Sequence, residues 1–210
     1  MLLASLDSLK AGQLNVVATS SLRALQLLST FQAKYPNIRL SFLTMPAQQI
    51  EKEILNFRAD IAIQHAPPED NRLFGQKIEE TPLKLAVSKD HPWSQKKTVT
   101  LKELKGQIII MPSDLEADSK ARGHWSRYIN SSAHQILTLQ SKEIGREAVA
   151  NDLGIAFFTE TDIRWDERIH GIEIEDTCLK EATYITCLEE ERQSRLIASF
   201  FDSTISIGNQ

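Results

Sequence analysis

The sequence predicts an α/β fold with two similar lobes, each built on a parallel sheet that helices cover on both faces. Short apolar runs alternate with stretches whose apolar residues fall at helical spacing, first over residues 14–63 and again over residues 107–159. Strands separated by helices in this way form parallel sheets. Two such half-units joined by crossing strands predict two Rossmann-like lobes with a central cleft.

The first half-unit begins with an apolar strand at residues 14–18, followed by Thr19, Ser20 and Ser21 and then by a helical pattern. These hydroxyls stand where the N-cap of the helix is expected. A helix start at the end of a strand has free backbone N–H groups and a partial positive charge, which suits a small anion. A plain N-cap without a ligand also explains these residues, because every helix needs a cap and few caps bind anything.

The same half-unit continues with strands at residues 38–42 and 60–63 and a helix at residues 48–57 between them. Ligands of parallel α/β sheets bind beyond the carboxyl ends of the strands, where helix starts converge. Besides the hydroxyl cluster, those ends are residues 44–48 and Gln64-His65. We therefore expect these polar segments at one edge of the first sheet.

The second half-unit has apolar runs at residues 108–111, 136–139 and 154–158, with helices predicted at residues 119–129 and 144–150. Its strand ends carry the same polar chemistry, at Pro112-Ser113, Gln140-Ser141 and Thr159-Glu160. Beyond it, residues 172–174 and 184–188 are predicted to supply a return crossing into the first lobe, and residues 194–201 a closing helix.

Composition and charge exclude several classes of protein. The formal net charge of −4 over 210 residues argues against a bare polyanion-binding module, since such modules gather lysine and arginine on one face. The N-terminus has no basic region and Asp7 interrupts its apolar stretch, so it is not predicted to be a signal peptide. Cys178 and Cys187 have no CxxC spacing, which favours a reduced, cytoplasmic setting and leaves a single disulfide open.

The residues show no pattern typical of an enzyme. No acid–base pair, nucleophile with an activating base, phosphate loop or metal cluster is evident, and the histidines have no metal-binding spacing. We therefore predict no catalytic activity, no cofactor and no metal site.

The order and spacing of several segments resemble the effector-binding domain of LysR-type transcriptional regulators, which has the two-lobed type II periplasmic-binding-protein fold. The segments are residues 14–36, 58–63, 89–92, 101–104 and, most specifically, 148–156. Residues 141–149 and 184–188 further resemble the subgroup linked to 2-aminoethylphosphonate use. The resemblance implies a domain that senses a small, anionic metabolite in the cleft between its lobes.

The resemblance also implies a domain organisation. Residues 1–11 would be the end of a linker helix, residues 12–88 with 182–205 lobe I, and residues 89–181 lobe II. Members of the family carry an N-terminal winged helix-turn-helix that this sequence lacks, so contact with DNA is expected only through that absent part. A homodimer or homotetramer without a membrane partner is implied. The competing interpretation is a solute-binding protein of a transport system.

In the family the effector is held by hydroxyls and backbone N–H groups at helix starts. Arg122 would grip a phosphonate or carboxylate with two parallel hydrogen bonds, although a solvated helix arginine explains it equally well. Ser141 is either a donor to the effector or a plain cap. Many relatives have a serine where Ala47 stands here, so that contact is either missing or made by Thr44. The complete set of predicted ligand-binding residues is Thr19, Ser20, Ser21, Thr44, Gln48, His65, Ser119, Arg122, Ser141 and Thr159.

Overall fold

A computed structural model describes residues 12–112, 135–176 and 178–205. The chain divides into two compact units, the described parts of Met1–Glu79 with Ala182–Gln210 (unit 1) and Glu80–Glu181 (unit 2). None of the described helices is long and apolar enough to cross a bilayer.

The described elements alternate between strand and helix over most of the chain. The strands are β1 (Gly12–Ala18), β2 (Ile38–Thr44), β3 (Ile61–Gln64), β4 (Leu73–Ser88), β5 (Thr98–Val99), β6 (Ile108–Pro112), β7 (Gln135–Leu139), β8 (Ala156–Thr159), β9 (Ile169–Ile174) and β10 (Lys180–Leu188). The helices are α1 (Ser21–Lys34), α2 (Ala47–Leu55), α3 (Lys142–Ala150), α4 (Glu160–Ile163) and α5 (Arg195–Ile205), with a 3₁₀ turn at Leu101–Leu104.

Unit 1 contains the parallel sheet that its apolar runs predict. Strand β1 pairs in parallel with β2 on one side and with β3 on the other, and β10 adds antiparallel to β3. Alternate residues of β1 face opposite sides of this sheet, so that Val16 packs towards α1 and α5 while Val17 packs towards α2. The prediction of a sheet covered by helices on both faces is confirmed.

Unit 2 repeats this arrangement around β6. Strand β7 pairs in parallel with β6 along its whole length, and Ile155, just before β8, forms a parallel bridge to Ile109 on the other side. Strand β8 then pairs antiparallel with the second half of β4, which also pairs with β9. Helix α3 packs through Ala148 and Val149 on one face of this sheet.

Two expectations change in the structure. Residues 172–174 belong to β9, which pairs with β4 and β5 inside unit 2, so only β10 returns to unit 1. The apolar pattern of β9 identified a strand but not its neighbours, because pairing is decided by distant parts of the chain.

Cys178 is an exposed free thiol and Cys187 a buried one, so the alternative of a disulfide between them is wrong. Burial raises the pKa of the Cys187 thiol to about 12, which keeps it protonated.

Gly154 and Gly145 lead to opposite predictions for the same substitution. A Cβ at Gly154 would lie 2.5 Å from the backbone oxygen of Ile108, so we expect Gly154→Ala to lower the free energy of unfolding by about 1–3 kcal/mol. A Cβ at Gly145, inside α3, would make ordinary contacts of 3.6 Å with Ile110 and 3.7 Å with Phe158. Gly145→Ala should raise the free energy of unfolding by up to about 1 kcal/mol, because alanine favours the helix. Urea denaturation of both variants tests the pair, and the reverse order of stabilities would contradict it.

Candidate functional site

The carboxyl ends of the three parallel strands of unit 1 meet at one edge. Ala18, the last residue of β1, lies opposite Thr44 of β2 and Ile63 of β3. The next residue, Thr19, donates its backbone N–H to the Ile63 oxygen at 3.1 Å, and Met45 donates to the Ala18 oxygen at 3.0 Å. The edge expected from the sequence therefore brings together the hydroxyls at the start of α1, Thr44 and the end of β3.

The start of α1 has two buried hydroxyl residues that the helix does not use. Thr19 is 8% exposed and Ser20 is 7% exposed. The Oγ1 atom of Thr19 is buried and has no hydrogen-bond partner among the residues that the structure describes. Ser20 has the extended backbone of an N-cap, but its side chain makes no capping hydrogen bond. A plain cap therefore does not explain these two residues, because the Ser20 side chain does not accept a hydrogen bond from the first turn of α1.

The other predicted residues of unit 1 are more exposed. Ser21 is half-buried as the first residue of α1. Thr44, the last residue of β2, and Gln48, the second residue of α2, are exposed. Helix α2 follows Pro46 and has no side-chain cap. The His65 ring nitrogen Nδ1 lies 3.3 Å from the backbone oxygen of Ala182.

Two further polar contacts near this edge were not expected from the sequence. Buried Gln64 donates its side-chain amide to Thr186 Oγ1 at 3.3 Å, which joins β3 to β10. Arg23, in the first turn of α1, forms a 2.6 Å ion pair with Glu79. The helix dipole disfavours a cation in the first turn, so Arg23 itself was the signal in the sequence that an acidic partner was needed.

In unit 2, Ser141 is the N-cap of α3. Its Oγ accepts a hydrogen bond from the backbone N–H of Ile144 at 3.3 Å. An accepted bond leaves the hydroxyl hydrogen available for donation. Ser141 can therefore cap the helix and donate to a ligand at the same time, so the two interpretations of this residue do not exclude each other.

Thr159, at the end of β8, is part of a capping box. Its backbone N–H and its hydroxyl both donate to Asp162 Oδ2, at 2.9 and 2.6 Å, and its Oγ1 accepts from the Asp162 N–H at 3.3 Å. The spacing Thr159-x-x-Asp162 is the sequence signature of such a box, and it was available from the sequence. Thr159 is buried, and its hydroxyl hydrogen is used within the protein.

Lys142, the first residue of α3, lies at the centre of an ion cluster of unit 2. Its Nζ is 2.6 Å from Asp162 Oδ2 and 2.7 Å from Glu181 Oε1, and the exposed fractions of the three side chains are 12%, 11% and 15%. Burial by itself would lower the pKa of Lys142, but the attraction of Glu181 and Asp162 outweighs it, so the pKa is raised and the lysine is charged. The cluster, named here the Lys142 cluster, joins the starts of α3, α4 and β10.

The remaining predicted residues, Ser119 and Arg122, lie outside the residues that the structure describes. Within residues 12–112, 135–176 and 178–205, no group of three or more His, Cys, Asp or Glu side chains could hold a metal ion.

Comparison with known proteins decides the family. The family model described as LysR substrate binding domain matches residues 7–205, which is nearly the whole chain. The chain belongs to the LysR substrate-binding domain family. The resemblance stated from the sequence is thus confirmed at the level of the family, and the competing interpretation as a transport solute-binding protein is not favoured.

Known relatives of this LysR domain are named as transcriptional regulators. The HTH-type transcriptional regulator CysL of Bacillus subtilis is 22% identical over 194 residues, which cover 81% of this chain and 64% of CysL. The matched segments make up between 26% and 64% of the four curated relatives, so the chain spans less than two thirds of their length.

Solved structures of the same kind show the fold. The regulatory domain of CcmR from Synechocystis PCC6803, solved with 2-PG, superposes with a TM-score of 0.78 at 22% identity, covering 95% of this chain and 98% of that one. The effector-binding domain of QuiR, solved with shikimate, gives a TM-score of 0.76 at 15% identity, covering 95% and 98%. The predicted α/β fold of the type II periplasmic-binding-protein kind is confirmed.

Proposed function

We propose that this LysR domain is the effector-binding part of a DNA-binding transcriptional regulator and that it senses a small anionic metabolite. The observation that carries the proposal is the start of α1, where the buried Thr19 hydroxyl has no partner among the described residues and Ser20 makes no capping bond. A buried polar group without a partner costs free energy, and a ligand oxygen that accepts its hydrogen bond removes that cost.

The chemistry of this edge favours an anion. Backbone N–H groups at the start of the 14-residue helix α1 and the hydroxyls of Thr19 and Ser20 are all donors. In unit 2, Ser141 adds a hydroxyl donor at the start of α3. We propose that unit 1 and unit 2 are lobes I and II of the domain.

The wider role follows from the relatives and remains a proposal for this chain. CcmR was solved with 2-PG and QuiR with shikimate, and the curated relatives are named as transcriptional regulators, which favours a sensor over an enzyme. Binding would favour one conformation of the domain by its differential affinity and so change the activity of the regulator. We propose cytoplasmic location, a homodimer or homotetramer, and DNA contact through a segment outside these 210 residues.

A thermal-shift screen of small carboxylates, phosphates and phosphonates tests the proposal. An acid present at 100 times its dissociation constant should stabilise the domain by about 2.7 kcal/mol. The absence of any stabilising acid across the screen would contradict the sensing of an anion.

Thr19→Val separates a ligand donor from a structural hydroxyl. We expect the variant to be as stable as the wild type or up to about 1 kcal/mol more stable without ligand, because valine removes a buried hydroxyl that has no partner in the described part of the chain. Its affinity for the stabilising acid should fall about tenfold, the loss expected for one hydrogen bond of about 1.4 kcal/mol. Thermal denaturation and calorimetric titration measure the two effects.

Thr30→Val is the matched control for this test. Thr30 is on the same helix, and its hydroxyl bonds to the backbone oxygen of Gln26 at 3.1 Å. We expect Thr30→Val to leave the affinity unchanged. If Thr19→Val destabilised the free domain and bound the acid as tightly as the wild type, Thr19 would be a structural residue.

A further inference from the structure

Two buried donors without an acceptor lie within five residues at the start of α1. In the described part of the chain, three buried side-chain nitrogen or oxygen atoms have no hydrogen-bond partner, and two of them are Oγ1 of Thr19 and Nε of Arg23. The Nε–H group of arginine can only donate a hydrogen bond, and a threonine hydroxyl can donate one too. What is missing at this helix start is therefore an acceptor, which favours an anion.

Arg23 is within reach of the N-cap of α1. Ser20 is the N-cap and Arg23 is the third residue of the helix. A side chain at this third position can reach back to the N-cap, as it does in a capping box, because helical side chains lean towards the N-terminus. The guanidinium group therefore belongs to the same helix start as Thr19 and Ser20.

The guanidinium group of Arg23 has a binding edge of which only half is used. Nε and Nη2 form the edge of an arginine that holds a carboxylate or phosphate through two parallel hydrogen bonds. Nη2 forms the 2.6 Å ion pair with Oε2 of Glu79, and Nη1 donates to Oε1 of Gln26 at 3.1 Å. Nε has no acceptor among the described residues, so Glu79 pairs with one of the two groups on this edge.

The two partners of this ion pair differ in their contact with solvent. The Glu79 side chain is 31% exposed and the Arg23 side chain is 17% exposed. A carboxylate released from the pair can therefore be hydrated more fully than the guanidinium group can. Arg23 also lies in the first turn of α1, where the helix dipole favours an anion and opposes a cation. An anion in place of Glu79 would satisfy Nε and would also gain from the dipole.

We propose that Arg23 binds the anion at the start of α1 through Nε and Nη2, and that Glu79 competes with the anion for this edge of the guanidinium group. Glu79 then pairs with Arg23 in the free domain and lowers the affinity of the site. This inference rests on the proposed function, because it concerns the same anion. It adds a binding arginine and an internal competitor, neither of which anion sensing by itself requires.

NMR titration of the domain with inorganic phosphate at neutral pH tests the proposal. Backbone amide resonances report the dissociation constant and the part of the chain that is affected. We expect Arg23→Met to bind phosphate about tenfold more weakly than the wild type, because a charge-assisted hydrogen bond is lost. Glu79→Gln should bind phosphate about fivefold more tightly, because the competing carboxylate is removed. The double variant should bind as weakly as Arg23→Met, since Glu79 acts through Arg23.

The ion pair between Arg58 and Glu53 supplies matched controls. It joins Nη1 of Arg58 to Oε1 of Glu53 at 3.4 Å, and Arg58 precedes β3, at the opposite edge of the sheet from the start of α1. Arg58→Met and Glu53→Gln make the same changes of charge, and we expect each to alter the phosphate affinity by less than about twofold. Circular dichroism shows whether each variant is folded. If Arg23→Met is unfolded, Arg23→Lys replaces it with the same expected direction, because lysine has no Nε–H group.

The outcomes separate this inference from anion sensing. Opposite changes in Arg23→Met and Glu79→Gln support the inference, as does phosphate binding by Glu79→Gln alone. Unchanged affinities, or weaker binding in both variants, would show that the ion pair is structural, and anion sensing would stand. Absence of phosphate binding in both the wild type and Glu79→Gln also overturns the inference. Anion sensing itself fails only if the screen of carboxylates, phosphates and phosphonates finds no stabilising acid.

Discussion

Replacing Lys142 by methionine is expected to lower the free energy of unfolding by about 3–5 kcal/mol, the cost of removing one partner from a buried ion pair. The variant removes the Lys142 ammonium group from the buried carboxylates of Asp162 and Glu181, which both lie within 3.0 Å of the lysine Nζ in the wild type. Urea denaturation at neutral pH measures the loss.

The loss should also depend on pH, with a definite sign. Because the pKa of Lys142 is raised, its contribution to the free energy of unfolding is complete below the ordinary lysine pKa and is lost only at more alkaline pH. This contribution is therefore constant between about pH 5 and pH 8 in the wild type. In Lys142→Met, the folded protein takes up a proton between the two carboxylates more readily than the unfolded chain does. Stability of the variant relative to the wild type should therefore fall as the pH rises, by at most about 1.4 kcal/mol per pH unit.

Neighbouring charges and control variants make this test specific. Arg146 on α3 donates to the Asp162 backbone oxygen at 3.3 Å, and Glu160 on α4 pairs with Lys84 at 2.8 Å. The substitution of Lys142 changes none of these four side chains. The difference in the free energy of unfolding between Lys142→Arg and the wild type should not change with pH. The double variant Lys142→Met/Glu181→Gln should recover part of the loss, since one carboxylate is removed. If Lys142→Met were less stable than the wild type by the same amount at both ends of the pH range, the cluster would not hold two ionised carboxylates.

Replacing Phe200 by alanine is expected to lower the free energy of unfolding by about 3–5 kcal/mol. Phe200 on α5 is completely buried in unit 1, and its ring lies 5.2 Å from that of Phe31 on α1. The substitution removes buried apolar surface and leaves a cavity between the two helices and the sheet. Urea denaturation followed by circular dichroism measures the change.

Phe57→Ala is the control for this prediction. The Phe57 side chain is 71% exposed, so the same chemical change should alter the free energy of unfolding by less than about 0.5 kcal/mol. Similar losses in Phe200→Ala and Phe57→Ala would contradict the burial of the helix α5 face.

Much of the fold follows from local pattern. The helical spacing of apolar residues predicted helix α1, from Leu22, Leu25, Leu27, Leu28 and Phe31. Leu27, Leu28 and Phe31 are buried, whereas Leu25 is 50% exposed. Apolar strands separated by helices predicted a sheet packed on both faces. These properties depend on residues that are close in sequence, so they can be read without knowing the fold. The neighbours of β9 could not be predicted in this way, because strands of similar composition compete for each pairing position.

The candidate site was predictable only in part. The sequence placed Thr19, Ser20 and Ser141 at helix starts, and the structure confirms those positions; their role in binding stays a prediction. The Lys142 cluster was missed, although a lysine at the first position of a helix is opposed by the helix dipole and so calls for acidic partners. No spacing in the sequence identifies Glu181 as one of them.

The sequence by itself determined the order of the elements, the buried faces and the helix starts that carry hydroxyls, because hydrophobic periodicity and capping are local. Only the tertiary structure decided what each hydroxyl does. Among the described residues the buried Thr19 hydroxyl has no hydrogen-bond partner. The Thr159 hydroxyl donates to Asp162, which also forms an ion pair with Lys142 from another helix. Hydrogen-bond polarity depends on groups that meet through folding, and a sequence pattern does not contain that information.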